Sequence, residues 1–221
     1  MKKVIIALPG RTFSGAFMCN MIDAIHVMKS RGYGVSIIND HSSFVPFARM
    51  KTLGLDVLRG KDQKPFGGQV NYDVWVTIDS DIIFTPEQLM RLVEDTDTYP
   101  VVSGIYMMQD GKHFAMVEHW DEEYFKEHGS FQFMTRDDIK GEYMKVSYNG
   151  MGFFACKKGV IEALKYPYFS YPLQEIILND GTIVRDMCSE DVSFCKNLND
   201  AGFDIVINTN LRVGHEKTVV L

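Results

Sequence analysis

Two aspartates one residue apart, Asp79 and Asp81, close the apolar stretch from Val74 to Ile78 in this 221-residue chain. On extended backbone, side chains two apart share a face, so both carboxylates can meet one cation while Ser80 points elsewhere. Oxygen ligands suit Mn²⁺ or Mg²⁺, and such ions keep open positions for substrate phosphates. The same spelling recurs at Asp95-Thr96-Asp97, at a helix end before Tyr99-Pro100, where the acidic residues read as a solvated turn. Glu190 and Asp191 follow Ser189 at a helix start. Capping and dipole compensation, worth ~0.3 to 1 kcal/mol, would explain that acidity. The functional alternative is a general base that takes a proton from a hydroxyl. His215 stands alone near the C-terminal end; joined to two carboxylates, its imidazole would favour Mn²⁺ over Mg²⁺. The histidines at 26, 41, 113, 119 and 128 show no metal-ligand spacing.

Several chemistries are missing by spelling. Pro9-Gly10-Arg11-Thr12-Phe13-Ser14-Gly15 lacks the GxGxxG of a dinucleotide fold, and neither GxxxxGK[ST] nor GxSxG occurs. The net charge of −6 is spread without acidic or basic blocks, which disfavours nucleic acid as the main ligand. Cys19, Cys156, Cys188 and Cys195 form neither a CxxC nor a disulfide framework, so a cytoplasmic setting is expected. No apolar run approaches the roughly 20 residues that cross a bilayer. The opening Met1-Lys2-Lys3 before Val4 to Leu8 imitates a signal peptide, but its apolar run is too short for one.

The elements that must position these residues follow from periodicity. Val4 to Leu8 is a short β-branched run ending at Pro9-Gly10, and Phe17 to Ser30 carries apolar residues at helical spacing. Val35 to Ile38 gives a second strand before Asn39-Asp40-His41. This β-α-β order predicts a parallel sheet with helices on its faces, and one compact domain. Phe44 to Leu53 reads as a helix, Leu55 to Val70 as a mobile loop, and Val74 to Ile78 as a buried strand. Thr85-Pro86-Glu87 opens a helix reaching Asp95. Val101 to Met107 and His113 to Glu118, around Asp110-Gly111, predict a hairpin. Trp120 to Lys140 is a polar, aromatic and acidic excursion; Trp120 would either stack on a sugar face or anchor the loop. Strand-like pieces flank Gly150-Met151-Gly152, a helix follows Gly159, a loop extends to Ser189, a helix runs from Asp191 to Ala201, and Asp204 to Asn208 is a strand.

Taken in order, these pieces resemble the GT-A glycosyltransferases, particularly the family-2-like group of bacteria and viruses. The likeness runs through ALPG at Ala7, FAR from Phe47 to Arg49, VTIDSDIIFTPEQL from Val76, GMGFFACKKGVIEAL from Gly150, SEDVSFCKNLNDAGFDI from Ser189, and VGH from Val213. It implies a Rossmann-like α/β domain over residues 1–221 with a mixed central sheet. Residues 1–100 would form its nucleotide-binding half and 101–221 its acceptor-binding half.

By the same resemblance, Pro9, Arg11 and Asp40 would line the nucleoside pocket, and Arg49 would contact base or diphosphate. Asp79, Ser80 and Asp81 would serve the metal, ribose or phosphate, with Asp81 the direct ligand and His215 a third group. The backbone of Gly150 and Gly152 would approach the donor sugar, as only residues without Cβ permit. Asp191 would be the base, Glu190 would hold substrate hydroxyls, and inversion would follow. The expected cofactor is Mn²⁺ or Mg²⁺, and the expected donor a nucleotide-diphosphate sugar, a UDP-sugar first. The setting would be the cytoplasm, or the host cytoplasm if viral; acceptor and oligomeric state stay open. Two departures stand out: Met50 follows Arg49 where relatives often carry Asn, and Gly10-Arg11 replaces a common Thr or Ser. A sugar-nucleotide pyrophosphorylase would need a G-G-x-G-T-R loop after strand one, which Pro9-Gly10-Arg11-Thr12 does not spell. A non-catalytic glycan- or nucleotide-binding module of the same fold is the rival from another class.

Overall fold

The computed structural model describes residues 1–217, so the last four positions of the expected 1–221 span lie outside the described residues. The chain begins with β1 (Lys3–Pro9), α1 (Gly15–Ser30), β2 (Gly34–Asp40) and α2 (Val45–Thr52). Then come β3 (Val74–Ile78), β4 (Ile82–Ile83), α3 (Pro86–Asp95), β5 (Val101–Ile105) and β6 (Met116–Val117). The excursion holds α4 (Glu122–His128) and leads to β7 (Tyr143–Val146), β8 (Tyr148–Asn149), β9 (Phe153–Lys157) and α5 (Val160–Ala163). The chain closes with β10 (Leu173–Ile177), β11 (Ile183–Met187), α6 (Glu190–Asp200), β12 (Ile205–Arg212) and β13 (Gly214–His215).

Among the described residues a seven-stranded sheet runs in the order β2-β1-β3-β9-β5-β12-β7. β1 pairs in parallel with β2 and β3, and β5 with β12, whereas β9 and β7 run against their neighbours. β9 stands between β3 and β5, so the strands of residues 1–100 (β2, β1, β3) and those of 101–221 (β9, β5, β12, β7) form adjacent blocks of one continuous sheet, joined antiparallel at β3 and β9. The two-residue alternation of strands sorts the core: Val4, Ile6, Val74 and Val76 pack with Phe17, Met21 and Met28 of α1 and Leu89 and Leu92 of α3. Ile5, Ala7 and Trp75 face the other way, into a second cluster that also holds Leu53 and, from α6, Phe194, Cys195 and Leu198. Burying each large side chain contributes about 1.5–3 kcal/mol against leaving it exposed. α3 begins where the sequence predicts: Thr85 Oγ1 accepts from Gln88 N at 3.3 Å and Gln88 Oε1 from Thr85 N at 2.9 Å, a reciprocal cap.

Four expectations are corrected. The hairpin around Asp110-Gly111 forms only at its tip, where Met107 bridges Phe114 and Met108 N donates to the His113 carbonyl at 2.7 Å; its expected arms are lost because β5 is taken into the main sheet and β6 pairs with β8. The segment expected as a loop before Ser189 holds a true antiparallel hairpin, β10 with β11, turning at Asp180-Gly181. The Leu55 to Val70 segment is pinned rather than loose: Tyr168 donates to the Gln63 carbonyl at 2.8 Å and Lys64 to the Glu162 carbonyl at 2.7 Å. Asp95 is no solvated turn residue. It is buried, and it accepts from Tyr143 Oη at 2.9 Å and Asn208 Nδ2 at 2.7 Å.

Candidate active site

β3 delivers Asp79 at its carboxyl end, next to the end of β1, the place where open α/β sheets hold ligands. The backbone then turns. Ile82 N donates to the Asp79 carbonyl at 3.1 Å, so Asp79 to Asp81 is not extended and the alternation that would aim both carboxylates at one cation is lost. Asp79 faces α2, where both its oxygens accept from the Arg49 fork, at 3.0 Å from Nη1 and 3.2 Å from Nη2. Arg49 Nε, in turn, donates to Glu190 Oε1 at 3.2 Å. One buried guanidinium therefore ties β3 to the first turn of α6. Burial works to lower the pKa of Arg49, but Asp79 and Glu190 outweigh it and the guanidinium is held charged. Burial pushes the Asp79 carboxyl upward, against the pull of Arg49.

Asp81 faces the last strand. β13 pairs with β4, which sets His215 opposite Ile82 and brings His215 Nε2 to 3.2 Å from Asp81 Oδ2. His215 Nδ1 lies 2.8 Å from the Met107 carbonyl. A carbonyl only accepts, so Nδ1 carries a proton; whenever Nε2 is unprotonated, it turns a lone pair toward the carboxylate. Two acceptors facing each other call for a proton or a cation between them. Lys217 supplies one cation from the side, its Nζ 2.7 Å from Asp81 Oδ2. Among the described residues no group of three His, Cys, Asp or Glu gathers as a metal centre, because Asp79 is turned to Arg49. The Asp81 and His215 pair nonetheless has the donor chemistry of a Mn²⁺ or Mg²⁺ site, an oxygen and an oriented imidazole nitrogen.

Asp191 sits beside Glu190 on α6 and is half-buried. Its Oδ2 accepts from Tyr148 Oη at 2.9 Å, and its Oδ1 accepts from Ser189 Oγ and, at 2.9 Å, from Val192 N. Burial and the Asp191 charge hold the Tyr148 phenol protonated, well above its usual range. Capping therefore accounts for part of the Asp191 carboxylate, whereas Glu190 is spent on Arg49.

The expected nucleoside residues meet at the β1 and β2 ends. Pro9 lies opposite Asp40, Gly10 N donates to the Asp40 carbonyl at 3.1 Å, and the Asp40 carboxylate accepts from Lys51 at 3.3 Å. Arg11 is exposed beside them. Gly10 also packs on the aspartate turn, where a Cβ would lie 2.7 Å from Ser80 Cβ. Gly150 and Gly152 have a partner the sequence did not suggest. A Cβ on Gly150 would stand 2.1 Å from Tyr106 Oη, and one on Gly152 2.7 Å from Tyr106 Cε1, so these glycines admit the Tyr106 ring. Tyr106 in turn lies edge-on to His215, centroids 5.0 Å apart. Tyr106, Tyr148 and Lys217 are the site residues missed by sequence reasoning. Tyr148 precedes Asn149-Gly150 and Lys217 lies two beyond His215, adjacency being the available signal.

No family model matches this chain, and no curated protein matches it in sequence. Solved structures do match. A197 from STIV has a TM-score of 0.50 at 17% identity, covering 100% of this chain and 97% of that one. GalNAc-T7, solved with UDP, GalNAc and Mn²⁺, has a TM-score of 0.50 at 10% identity, with 99% of this chain and 44% of that chain covered. The fold is GT-A. The chain spans less than half of the GalNAc-T7 length, and at these identities the likeness establishes the Rossmann-like architecture alone. Among the described residues, no helix is long and apolar enough to cross a membrane.

Proposed function

We propose that this protein is a metal-dependent glycosyltransferase that moves a sugar from a nucleotide-diphosphate sugar, a UDP-sugar first, to an acceptor hydroxyl. One observation carries the reading: at the carboxyl end of β3 in a GT-A fold, Asp81 meets an oriented His215 imidazole while Asp79, Arg49 and Glu190 form a rigid clamp beside it. The GalNAc-T7 structure, solved with UDP, GalNAc and Mn²⁺, supports a donor and an ion of that kind here. Asp81 and His215 are the groups to hold Mn²⁺ or Mg²⁺. When bound, such an ion neutralises charge on a diphosphate leaving group, which lowers barriers by several kcal/mol.

The chain's own residues do the rest. Pro9, Arg11 and Asp40 border the nucleoside, and Ser80 with Gly10 shapes the floor between nucleoside and diphosphate. Arg49 orders Asp79 and Glu190 so that α6 presents Asp191 toward the donor. The acceptor oxygen bonds to the anomeric carbon as the carbon–oxygen bond to the diphosphate breaks; its electron pair leaves with the diphosphate. The hydroxyl proton passes to Asp191, whose orientation Tyr148 and Ser189 fix. A single displacement inverts the anomeric centre.

The test is nucleoside diphosphate release from a panel of UDP-, GDP-, CDP- and TDP-sugars with Mn²⁺. Turnover of one donor class, abolished by chelation and reduced about a hundredfold or more in Asp191→Asn, is expected. Full transfer by the Asp191→Asn protein removes Asp191 as the base. The ammonium of Lys217 on Asp81 favours a second reading, a binding module without turnover. Mn²⁺-dependent stabilisation with no donor consumed would establish it.

A further inference from the structure

A cavity walled by aromatic side chains lies beside α6. It encloses about 480 Å³, within the range of small-molecule sites, and Trp120, Phe125 and Phe131 form one wall. Val192 and Lys196 of α6 and Gln174 to Ile176 of β10 form the other. We infer that this cleft binds a pyranose ring, stacked on Trp120, and that the bound sugar is the acceptor of the transfer reaction; its role as acceptor rests on the glycosyltransferase reading above.

Three observations carry the inference. First, Trp120 is held with part of its ring open: it packs edge-on to Phe131, centroids 5.3 Å apart, and is 38% exposed. An exposed indole braced by other aromatics offers a flat apolar platform, which matches the apolar C–H face of a pyranose. Second, the rim carries both hydrogen-bonding senses. Glu122 and Glu175 only accept, Lys196 only donates, and the Gln174 amide does both. Vicinal sugar hydroxyls, each a donor and an acceptor, need such a mixed rim; a purely apolar ligand would leave it unmatched. Third, the cleft is wired to Asp191. Val192, the next residue on α6, lines the cleft, and Trp120 abuts Tyr148, centroids 6.1 Å apart, whose hydroxyl donates to Asp191 at 2.9 Å. A sugar on Trp120 is thus neighbour to the carboxylate assigned as base.

The experiment measures binding of methyl pyranosides of the gluco, galacto and manno series, and of short oligosaccharides, to the intact protein by ligand-observed NMR saturation transfer. A basic serine-containing peptide serves as the rival occupant of the acidic rim. The expected result is saturation of ring C–H protons for at least one sugar, lost in Trp120→Ala and weakened about tenfold in Gln174→Ala. Gln174 is a partly exposed rim residue, so its variant keeps the test meaningful if Trp120→Ala unfolds. Absence of sugar binding, binding indifferent to both substitutions, or Trp120-dependent binding of the peptide alone each overturns the inference. Donor turnover, followed in parallel, separates the two readings. Turnover without Trp120-dependent sugar binding leaves transfer standing and removes this cleft. Trp120-dependent sugar binding without turnover keeps the cleft as a sugar site and removes both the transfer and the acceptor role.

Discussion

The triplets Asp79-Ser80-Asp81 and Asp95-Thr96-Asp97 share a spelling, and the first aspartate of each meets an arginine, yet they do different things. Asp95 is buried at the end of α3, its oxygens shared among Arg91 at 2.8 Å, Tyr143 and Asn208. Every group there answers another, and the knot joins α3 to β7 and β12. Asp97 is exposed and, among the described residues, its carboxylate pairs with Lys2 alone. Around Asp79 the balance differs: Asp79, Asp81, Glu190 and Asp191 gather near Arg49, with Lys217 at the margin. Acidity in excess of its partners at the strand ends is what a bound cation would relieve. An arginine, common to both, distinguishes nothing; the surplus of carboxylates and the place on the sheet do.

The sharpest way to break this contrast is at the arginines. Arg49→Met leaves Glu190 buried and Asp79 partly buried without their cation and is expected to cost about 3–5 kcal/mol in urea unfolding. Arg91 is half exposed, and Arg91→Met should cost no more than about 1 kcal/mol. Equal losses would mean the clamp is no more than another surface pair. Next in size is function: Asp81→Ala is expected to lower donor turnover by about 10² to 10³, while its stability stays within ~0.5 kcal/mol, since the side chain is 41% exposed. Asp97→Ala should change neither quantity.

The knot at Asp95 reverses the pattern. Asp95→Ala strands the Tyr143 hydroxyl and the Asn208 amide, for an expected loss of about 2–3 kcal/mol, with turnover per folded molecule unchanged. Loss of turnover at full stability would place the second triplet in the chemistry after all.

How much of this was legible depends on whether local signals were overridden. The strand Val74 to Ile78 and the capped start at Thr85 were readable because pattern and cap agree with their tertiary place. Two Asp-Gly turns show the opposite. Asp110-Gly111 predicts a full hairpin, but only its tip pairs, because the arms are buried and drawn to other strands. Asp180-Gly181 closes a hairpin that the sequence pattern does not predict. The reason is the exposed side of that hairpin: Leu173, Ile177, Ile183 and Met187 face outward, so the usual apolar-inward alternation was absent. In the site, residue types at Asp81, Glu190, Asp191 and His215 were readable, but the turn at Ser80 that parts the two carboxylates was not. Nor was the use of Gly150 and Gly152 to seat Tyr106, which lies just beyond β5 and 46 residues from Gly152 in sequence.

The smallest effect separates the two triplets by ligand rather than by fold. At a Mn²⁺ concentration ten times its Kd, a single site adds about 1.4 kcal/mol, which in a chain of this size raises Tm by about 3–6 °C. Asp81→Ala and His215→Ala should each abolish that rise, because the carboxylate and the oriented Nε2 are the pair left for the ion once Asp79 is committed to Arg49. Asp95→Ala, though less stable to begin with, should keep it in full. Lys217→Ala should enlarge the rise, since an ammonium 2.7 Å from Asp81 Oδ2 competes for the oxygen the ion would use. A Mn²⁺ response that survives in Asp81→Ala but disappears in Asp79→Asn would mean that Arg49 yields Asp79 to the ion, and the clamp would then be a state the metal replaces.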